Sequence, residues 1–471
     1  MRGIRARLGR VGLVVLAGAL LSSLASCGGG AAPASGPTPV IVDTDMSYDD
    51  IMALCYLLER PDISVQAITV EGTGVAHGPA GAQNVLRLLR ALGIHRTIPV
   101  GYGQPRPLAG TQAFSSDWRN TADGMFHLNL PAWPGPQPAE SAVHLLTDTI
   151  SGSAHPVKLI TLGPFTDIAL ALQADPGIAH KIAMIYAMAG AVRVNGNEPK
   201  YANAEWNVYI DAAAANRVLL SGVPMTFVPL DATNNVPITT FVQQAVQAHP
   251  RTPALRIVST MLRDPYFTNL RSSVYFWDPL TAVAATDQQA VQLQAARLAI
   301  STEPGADLGT TRISPAGSPV RLAMSANGPA FERQFLATLN DGQPVPIPAV
   351  PASRQLVVSY DGHAYAYRGP HAYDAGPVQI RLANRSATPF DGFTLFIGKL
   401  AAGRTLSDVQ AIIRASAVPS APAWFHATAV LPAASGANPA WGVTLTPGRY
   451  ALVCVQERSS ALYALTELTI G

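Results

Sequence analysis

At 471 residues the chain exceeds one ordinary domain and has ample length to bury a core. Hydrophobic residues make up 48%, a typical share, while charged residues are only 13%, roughly half the usual one. A net charge of +2, with no dense Lys/Arg patch, argues for no nucleic acid among its partners.

Residues 1–27 read as an export signal. Arg2, Arg5, Arg7 and Arg10 precede an apolar run from Val11 to Leu24, too short to read as a membrane-spanning helix. The ending Leu24-Ala25-Ser26-Cys27 resembles a bacterial lipobox, which implies cleavage before Cys27 and diacylation of its sulfur. The expectation is an exported lipoprotein of the bacterial cell envelope, membrane-anchored through Cys27, with residues 28–38 as a flexible tether. Cys55 and Cys454 fall in separate predicted domains, so two buried thiols are expected rather than a disulfide.

From Pro39 the chain alternates strand and helix. Val40-Ile41-Val42 reads as a buried strand, and Ile51, Leu54, Cys55 and Leu58 form one helical face ended by Arg60-Pro61. Between them stand Asp43, Asp45, Asp49 and Asp50. One or two such acids would suit an N-capped helix, but four within eight residues repel each other unless they share a cation, and oxygen-only ligands suit a hard divalent ion such as calcium. A strand Val65–Val70 ends in Glu71-Gly72-Thr73-Gly74, and a helix follows from about Ala80 to Leu92. Further strands are expected at Ile98–Val100, Val157–Leu162, Ile182–Met188 and Met225–Leu230, with a helix around Ala142–Ile150. This alternation predicts an α/β fold, a mostly parallel open sheet covered by helices, over residues 39–340 and ending with the helix Pro329–Leu339. Residues 341–354 are a Pro-rich linker that spaces two domains. From 355 to 471 alternating runs such as Val378–Leu382, Phe393–Phe396 and Tyr450–Val455, separated by Pro and Gly turns, predict a small all-β antiparallel sandwich.

Asp43-Thr44-Asp45, followed by Asp49-Asp50, resembles the amino-terminal signature of the nucleoside hydrolases, the calcium-dependent N-ribohydrolases of the inosine-uridine preferring family. Three later motifs fit the same resemblance: Leu162-Gly163-Pro164-Phe165-Thr166-Asp167 is similar to the family's Gly-Pro-Leu-Thr-Asn turn, Ala204-Glu205-Trp206-Asn207 to its Ala-Glu-Phe-Asn, and Trp277-Asp278-Pro279 to its His-Asp-Pro. The resemblance implies a Rossmann-like fold and hydrolysis of ribonucleosides to base and ribose. It implies Ca2+ held by Asp45, Asp50, the Leu162 carbonyl and Asp278, with Asp45 also the catalytic general base and Asp43 behind as second shell. Asp49, Glu205, Asn207, Asn197 and Thr73 would bind the ribose, Thr73 standing where the family commonly has an Asn.

Several positions depart from the pattern. Trp277 replaces a His that can protonate the leaving base; a Trp cannot, but it can stack on a purine, so the preference leans toward purine nucleosides. Met46-Ser47 replaces Pro-Gly, and the loop Trp118–Phe126 lacks the family's His, a role that Trp118 or Asn120 could partly take. The segment Pro447–Leu452 resembles the late strand of cupredoxin-like domains. A blue-copper site needs a His shortly after its Cys, and no His or Met follows Cys454, so the sandwich is expected to be a copper-free accessory or docking module. The competing class is a nucleoside- or sugar-binding lipoprotein without turnover, and a third is a structural envelope protein stiffened by calcium. Relatives of this kind often form dimers or tetramers, so a homo-oligomer is a further expectation.

Overall fold

The computed structural model describes residues 36–471, apart from 199–202, 249, 265–266, 268–273, 346–349, 389–391, 416–421, 423, 434–437 and 457–460. Residues 1–35, with the expected export signal and Cys27, lie outside the described residues, and Pro37–Gly471 forms one compact unit.

Its larger lobe is built on a nine-stranded sheet. The strands are β1 (Thr38–Thr44), β2 (Ile63–Val70), β3 (Val100–Tyr102), β4 (Val157–Thr161), β5 (Ile182–Ala187), β6 (Met225–Phe227), β7 (Val291–Ile300), β8 (Thr311–Ile313) and β9 (Ser318–Ala326), in the order β3-β2-β1-β4-β5-β6-β9-β7-β8. Neighbours from β3 to β9 pair in parallel, while β7 runs antiparallel to β9 and to β8. The continuous apolar run of β1 follows from helices on both faces. Val40 and Val42 pack with the helices Tyr48–Leu58, Gly78–Ala91 and Gly328–Leu339, whereas Ile41 packs with Ala142–Gly152, Thr166–Ala174 and Ala212–Leu219. The β7–β9 ribbon was not foreseen from the sequence.

The smaller lobe is a sandwich whose strands are β10 (Gln355–Tyr360), β11 (Tyr365–Arg368), β12 (Ala372–Tyr373), β13 (Gly376–Asn384), β14 (Phe393–Leu400), β15 (Phe425–Ala433), β16 (Ala440–Leu445), β17 (Gly448–Gln456) and β18 (Leu462–Ile470). Its sheets are β11-β10-β13-β16 and β12-β18-β17-β14-β15. The expectation of a purely antiparallel sandwich is corrected in two places, since β10 pairs with β13 and β12 with β18 in parallel. A helix, Leu406–Ala415, also stands in this lobe. Cys454 lies in the sandwich core and Cys55 in that of the larger lobe, both as free thiols.

The lobes touch rather than being held apart by the Pro-rich stretch. Thr444 donates its amide to Thr240 Oγ1 at 3.2 Å and its hydroxyl to Gln244 Oε1 at 2.6 Å. Trp441 packs so closely on Gly328 that a Cβ there would lie 2.1 Å from its ring.

Candidate active site

Strand order reverses direction at β1: the chain builds outward to β2 and β3, then returns to place β4 on the other flank. The crevice outside the carboxyl ends of β1 and β4 is where open α/β sheets bind ligands. The motif acids stand there. Met46 takes a left-handed conformation, φ 56°, to turn the chain from β1 into the helix Tyr48–Leu58. Asp50, in the first turn, accepts the amides of Asp45 and Ser47, both at 3.0 Å, and the Thr44 hydroxyl, so it ties the turn together. Asp45 accepts amides from Ser47 at 3.3 Å and Val75 at 3.2 Å. It is squeezed between two backbone segments that only glycine permits: a Cβ at Gly74 or Gly163 would stand 2.2 or 2.7 Å from the Asp45 Cβ. Nothing in the sequence around either glycine signals that it grips Asp45.

Asp278 enters from the first turn of the helix Trp277–Thr286, which packs against Tyr48–Leu58. Asp49, Asp50 and Asp278 each offer an oxygen within 4.8 Å of the others'. Asp45, Asp49 and Asp278 are buried, and burial is the main force raising their proton affinity. It drives Asp278 well above the ordinary carboxylate range with help from Asp49 and Asp50, and Asp45 likewise with help from Asp50. Asp49 is pushed up to about 7 by burial and the Asp50 charge. No Lys, Arg or His is among the described residues lining this cavity. A buried all-oxygen donor set without a protein cation fits a hard divalent ion. The structure draws Asp49 into the acid group beside Asp50 and Asp278, while Asp45 is held by the Ser47 and Val75 amides at its edge.

The other wall carries the remaining polar groups. Glu205 N-caps the short helix Trp206–Ile210, accepting amides from Asn207 at 2.8 Å, Val208 at 3.3 Å and Gly190 at 3.0 Å. Burial lifts it to about 7, and those three donors oppose the rise. Asn207 donates to the carbonyls of Leu162 at 2.9 Å and Met188 at 3.0 Å, and all three residues line the cavity. Asn197 accepts the Trp206 amide at 3.0 Å. Thr73 stands elsewhere: its hydroxyl is buried against Glu71 and Thr166 at 3.2 and 3.0 Å, outside the cavity lining. Asp43 lies behind the cavity, accepting the hydroxyls of Thr69 at 2.6 Å and Thr161 at 3.3 Å from the neighbouring strands.

These groups converge on a cavity of about 520 Å³. Trp277 is half-buried on its wall, donating to Asn234 Oδ1 at 3.2 Å, with the rings of Tyr275 and Tyr48 at 5.5 and 6.2 Å. A second aromatic group, Phe114, Trp118 and Trp206, also lines it, with centroids 5.2 to 6.3 Å apart. The predicted loop around Trp118 is in fact the helix Ser116–Asp123, and Trp118 reaches the cavity where Asn120 does not. Tyr48 was missed, although it sits inside the acidic motif itself.

The family model for the inosine-uridine preferring nucleoside hydrolases matches residues 40–333. The chain is 36% identical over 203 residues to the pyrimidine-specific ribonucleoside hydrolase RihA of Salmonella enteritidis, a match covering 42% of this chain and 62% of that protein's length. Among solved structures, the inosine-uridine preferring nucleoside hydrolase of Bacillus anthracis shares the fold with TM-score 0.57 at 23% identity, over 64% of this chain and 99% of the other. The purine-preferring ribonucleoside hydrolase of Gardnerella vaginalis does so with TM-score 0.55 at 24% identity, over 64% and 98%.

Proposed function

The chain belongs to the inosine-uridine preferring nucleoside hydrolase family, and from that premise we propose that it hydrolyses the N-glycosidic bond of ribonucleosides to free base and ribose, with calcium as cofactor and a lean toward purines. The observation that carries the reading is the meeting of buried carboxylates, a Glu–Asn pair and aromatic rings in one cavity at the switch point of the sheet.

Asp45, Asp50, Asp278 and the Leu162 carbonyl would hold calcium, with Asp49 adjoining, and the ion when bound supplies acidified water and orientation of the ribose hydroxyls. The chain's own residues do the rest. Asp45, gripped between Gly74 and Gly163, takes a proton from the water that attacks the anomeric carbon. The bond to the base breaks with its electron pair leaving on the base nitrogen, which takes up a proton from solvent water while Asp45 later returns its own to solvent. Positive charge that builds on the ribosyl ring faces buried carboxylates, which favour it over the neutral ground state. Asp49, Glu205 and Asn207, with Asn197 beside them, orient the sugar. Trp277 stacks on a purine and so favours its departure.

Release of reducing sugar from inosine, guanosine, adenosine, uridine and cytidine, with calcium and then with chelator, tests this. Chelator-sensitive release is expected. A second reading, nucleoside capture without turnover, draws on the lack of a histidine among the described lining residues. It requires calcium-dependent thermal stabilisation by nucleosides and no sugar release. Anchorage in a bacterial envelope through Cys27 is likewise our proposal from the sequence pattern; incorporation of labelled palmitate that disappears in Cys27→Ala tests it.

A further inference from the structure

We propose that Asp43, Glu71 and Asp167 form a second cation site, for a hard divalent ion such as calcium, buried behind the nucleoside cavity and separate from it. The three acids come from three elements. Asp43 is on β1, Glu71 follows β2, and Asp167 stands in the first turn of the helix Thr166–Ala174. All three are fully buried, and each offers an oxygen within 4.8 Å of the others'. That spacing is on the scale of the ~4.6–5.2 Å separating opposite oxygens around a calcium ion. None lines the nucleoside cavity, so the inference stands whether or not that cavity hydrolyses nucleosides.

Asp167 points to a ligand independently of the clustering. Both of its carboxylate oxygens are buried and neither meets a hydrogen-bond donor among the described residues. Its neighbours account for their own polar groups: Asp43 accepts two threonine hydroxyls, and Glu71 accepts the Asp167 amide at 2.9 Å and the Thr73 hydroxyl. No Lys, Arg or His forms an ion pair with any of the three among the described residues. Isolated buried carboxylates carry a large desolvation cost that must be met by protons or by a cation. Two protons would neutralise most of the charge, yet the Asp167 oxygens would still lack donors unless Asp167 itself gave one to its neighbours. A bound ion satisfies both requirements, since it supplies charge and coordination to the same oxygens. It would also pin together the ends of β1 and β2 and the start of the helix, the three segments that bring Asp45, Thr73 and the Leu162 turn into place. The resemblance of Leu162–Asp167 to a Gly-Pro-Leu-Thr-Asn turn makes Asp167→Asn a mild probe, because an amide there suits the same local conformation.

The test is calcium stoichiometry on the intact protein, by equilibrium dialysis with radiolabelled calcium and by elemental analysis, on the wild type, Asp167→Asn, Glu71→Gln and Asp278→Asn, each checked for folding by circular dichroism. Two ions per chain are expected in the wild type, one in each single variant and none in Asp167→Asn combined with Asp278→Asn. A wild type that holds one ion, lost in Asp278→Asn, overturns the proposal and leaves the trio sharing protons. Two ions retained by both Asp167→Asn and Glu71→Gln also overturn it. If neither of those variants folds, Asp278→Asn decides: one ion remaining supports the second site and none refutes it. Failure of the nucleoside cavity to bind calcium gives a different pattern, in which Asp278→Asn changes nothing while Asp167→Asn still loses an ion.

Discussion

Replacing Asp278 by Asn should stabilise the protein without calcium and weaken it with calcium. Asp49, Asp50 and Asp278 hold oxygens within 4.8 Å of one another, a separation at which two unit charges repel by about 3.5 kcal/mol at an effective dielectric of ~20. The Asp278→Asn substitution removes two of the three repulsive pairs, about 7 kcal/mol at that separation if every acid were ionised. Burial already drives Asp278 and Asp49 to hold protons, so most of that repulsion is relieved in the metal-free wild type, and a net gain of roughly 1–3 kcal/mol is expected. In calcium the sign reverses, because the variant lacks a ligand and the ion no longer offsets the remaining acids. Thermal unfolding of both proteins, in chelator and in saturating calcium, reads this as curves that cross. The wild type should gain several degrees on adding calcium and the variant far less. Equal destabilisation of Asp278→Asn in both conditions would mean that Asp278 packs the helix start and holds no ion, and the reasoning would fail.

Three further outcomes follow from other parts of the fold. Trp277→Ala should lose more activity on inosine and guanosine than on uridine and cytidine, on the order of tenfold if stacking contributes about 1–1.5 kcal/mol; equal losses in kcat/KM would argue against stacking. Glu332, buried on the helix Gly328–Leu339, is raised by that burial from 4.5 to about 8. Its folded state therefore keeps the proton, and stability falls as pH climbs from the unfolded value toward 8, by a ceiling of about 5 kcal/mol. Glu332→Gln should thus unfold at higher urea than the wild type at pH 8.5, by roughly 1–2 kcal/mol, and match it near pH 4; a difference independent of pH would contradict this. Trp441→Ala removes a ring that fills the sandwich core and rests on Gly328, so a loss of about 3–5 kcal/mol is expected; a variant unfolding within 1 kcal/mol of the wild type would show that the lobes do not depend on this contact.

The larger lobe was legible where a periodic pattern and a turn signal coincided. The strand before Asp43 and the helix after it stand within a few residues of expectation because the apolar period changes from continuous to helical at one place, Met46-Ser47. Asp45, Asp49, Asp50, Asp278, Glu205 and Asn207 stand out in the sequence because their order along the chain is distinctive, and all of them line one cavity. Contacts made at long range were not. Nothing local to Gly74 or Gly163 says that both press on Asp45, and nothing local to Thr73 says that its hydroxyl turns toward Glu71 and Thr166 instead of the cavity. The parallel pairing of β10 with β13 escaped for the same reason: alternation fixes which face of a strand is buried but says nothing of its neighbour's direction. The contact between the lobes escaped for the same reason, since the sequence of a Pro-rich stretch does not say what the segments on either side of it touch.

The most direct test of the proposed chemistry is to incubate the calcium-loaded protein with inosine in water enriched in oxygen-18 and weigh both products by mass spectrometry. Attack of water on the anomeric carbon predicts free hypoxanthine without label and ribose carrying it, measured early enough to outrun spontaneous exchange at the anomeric hydroxyl, with both products absent in Asp45→Ala. Intact inosine after prolonged incubation, or unlabelled ribose released at early times, would contradict it.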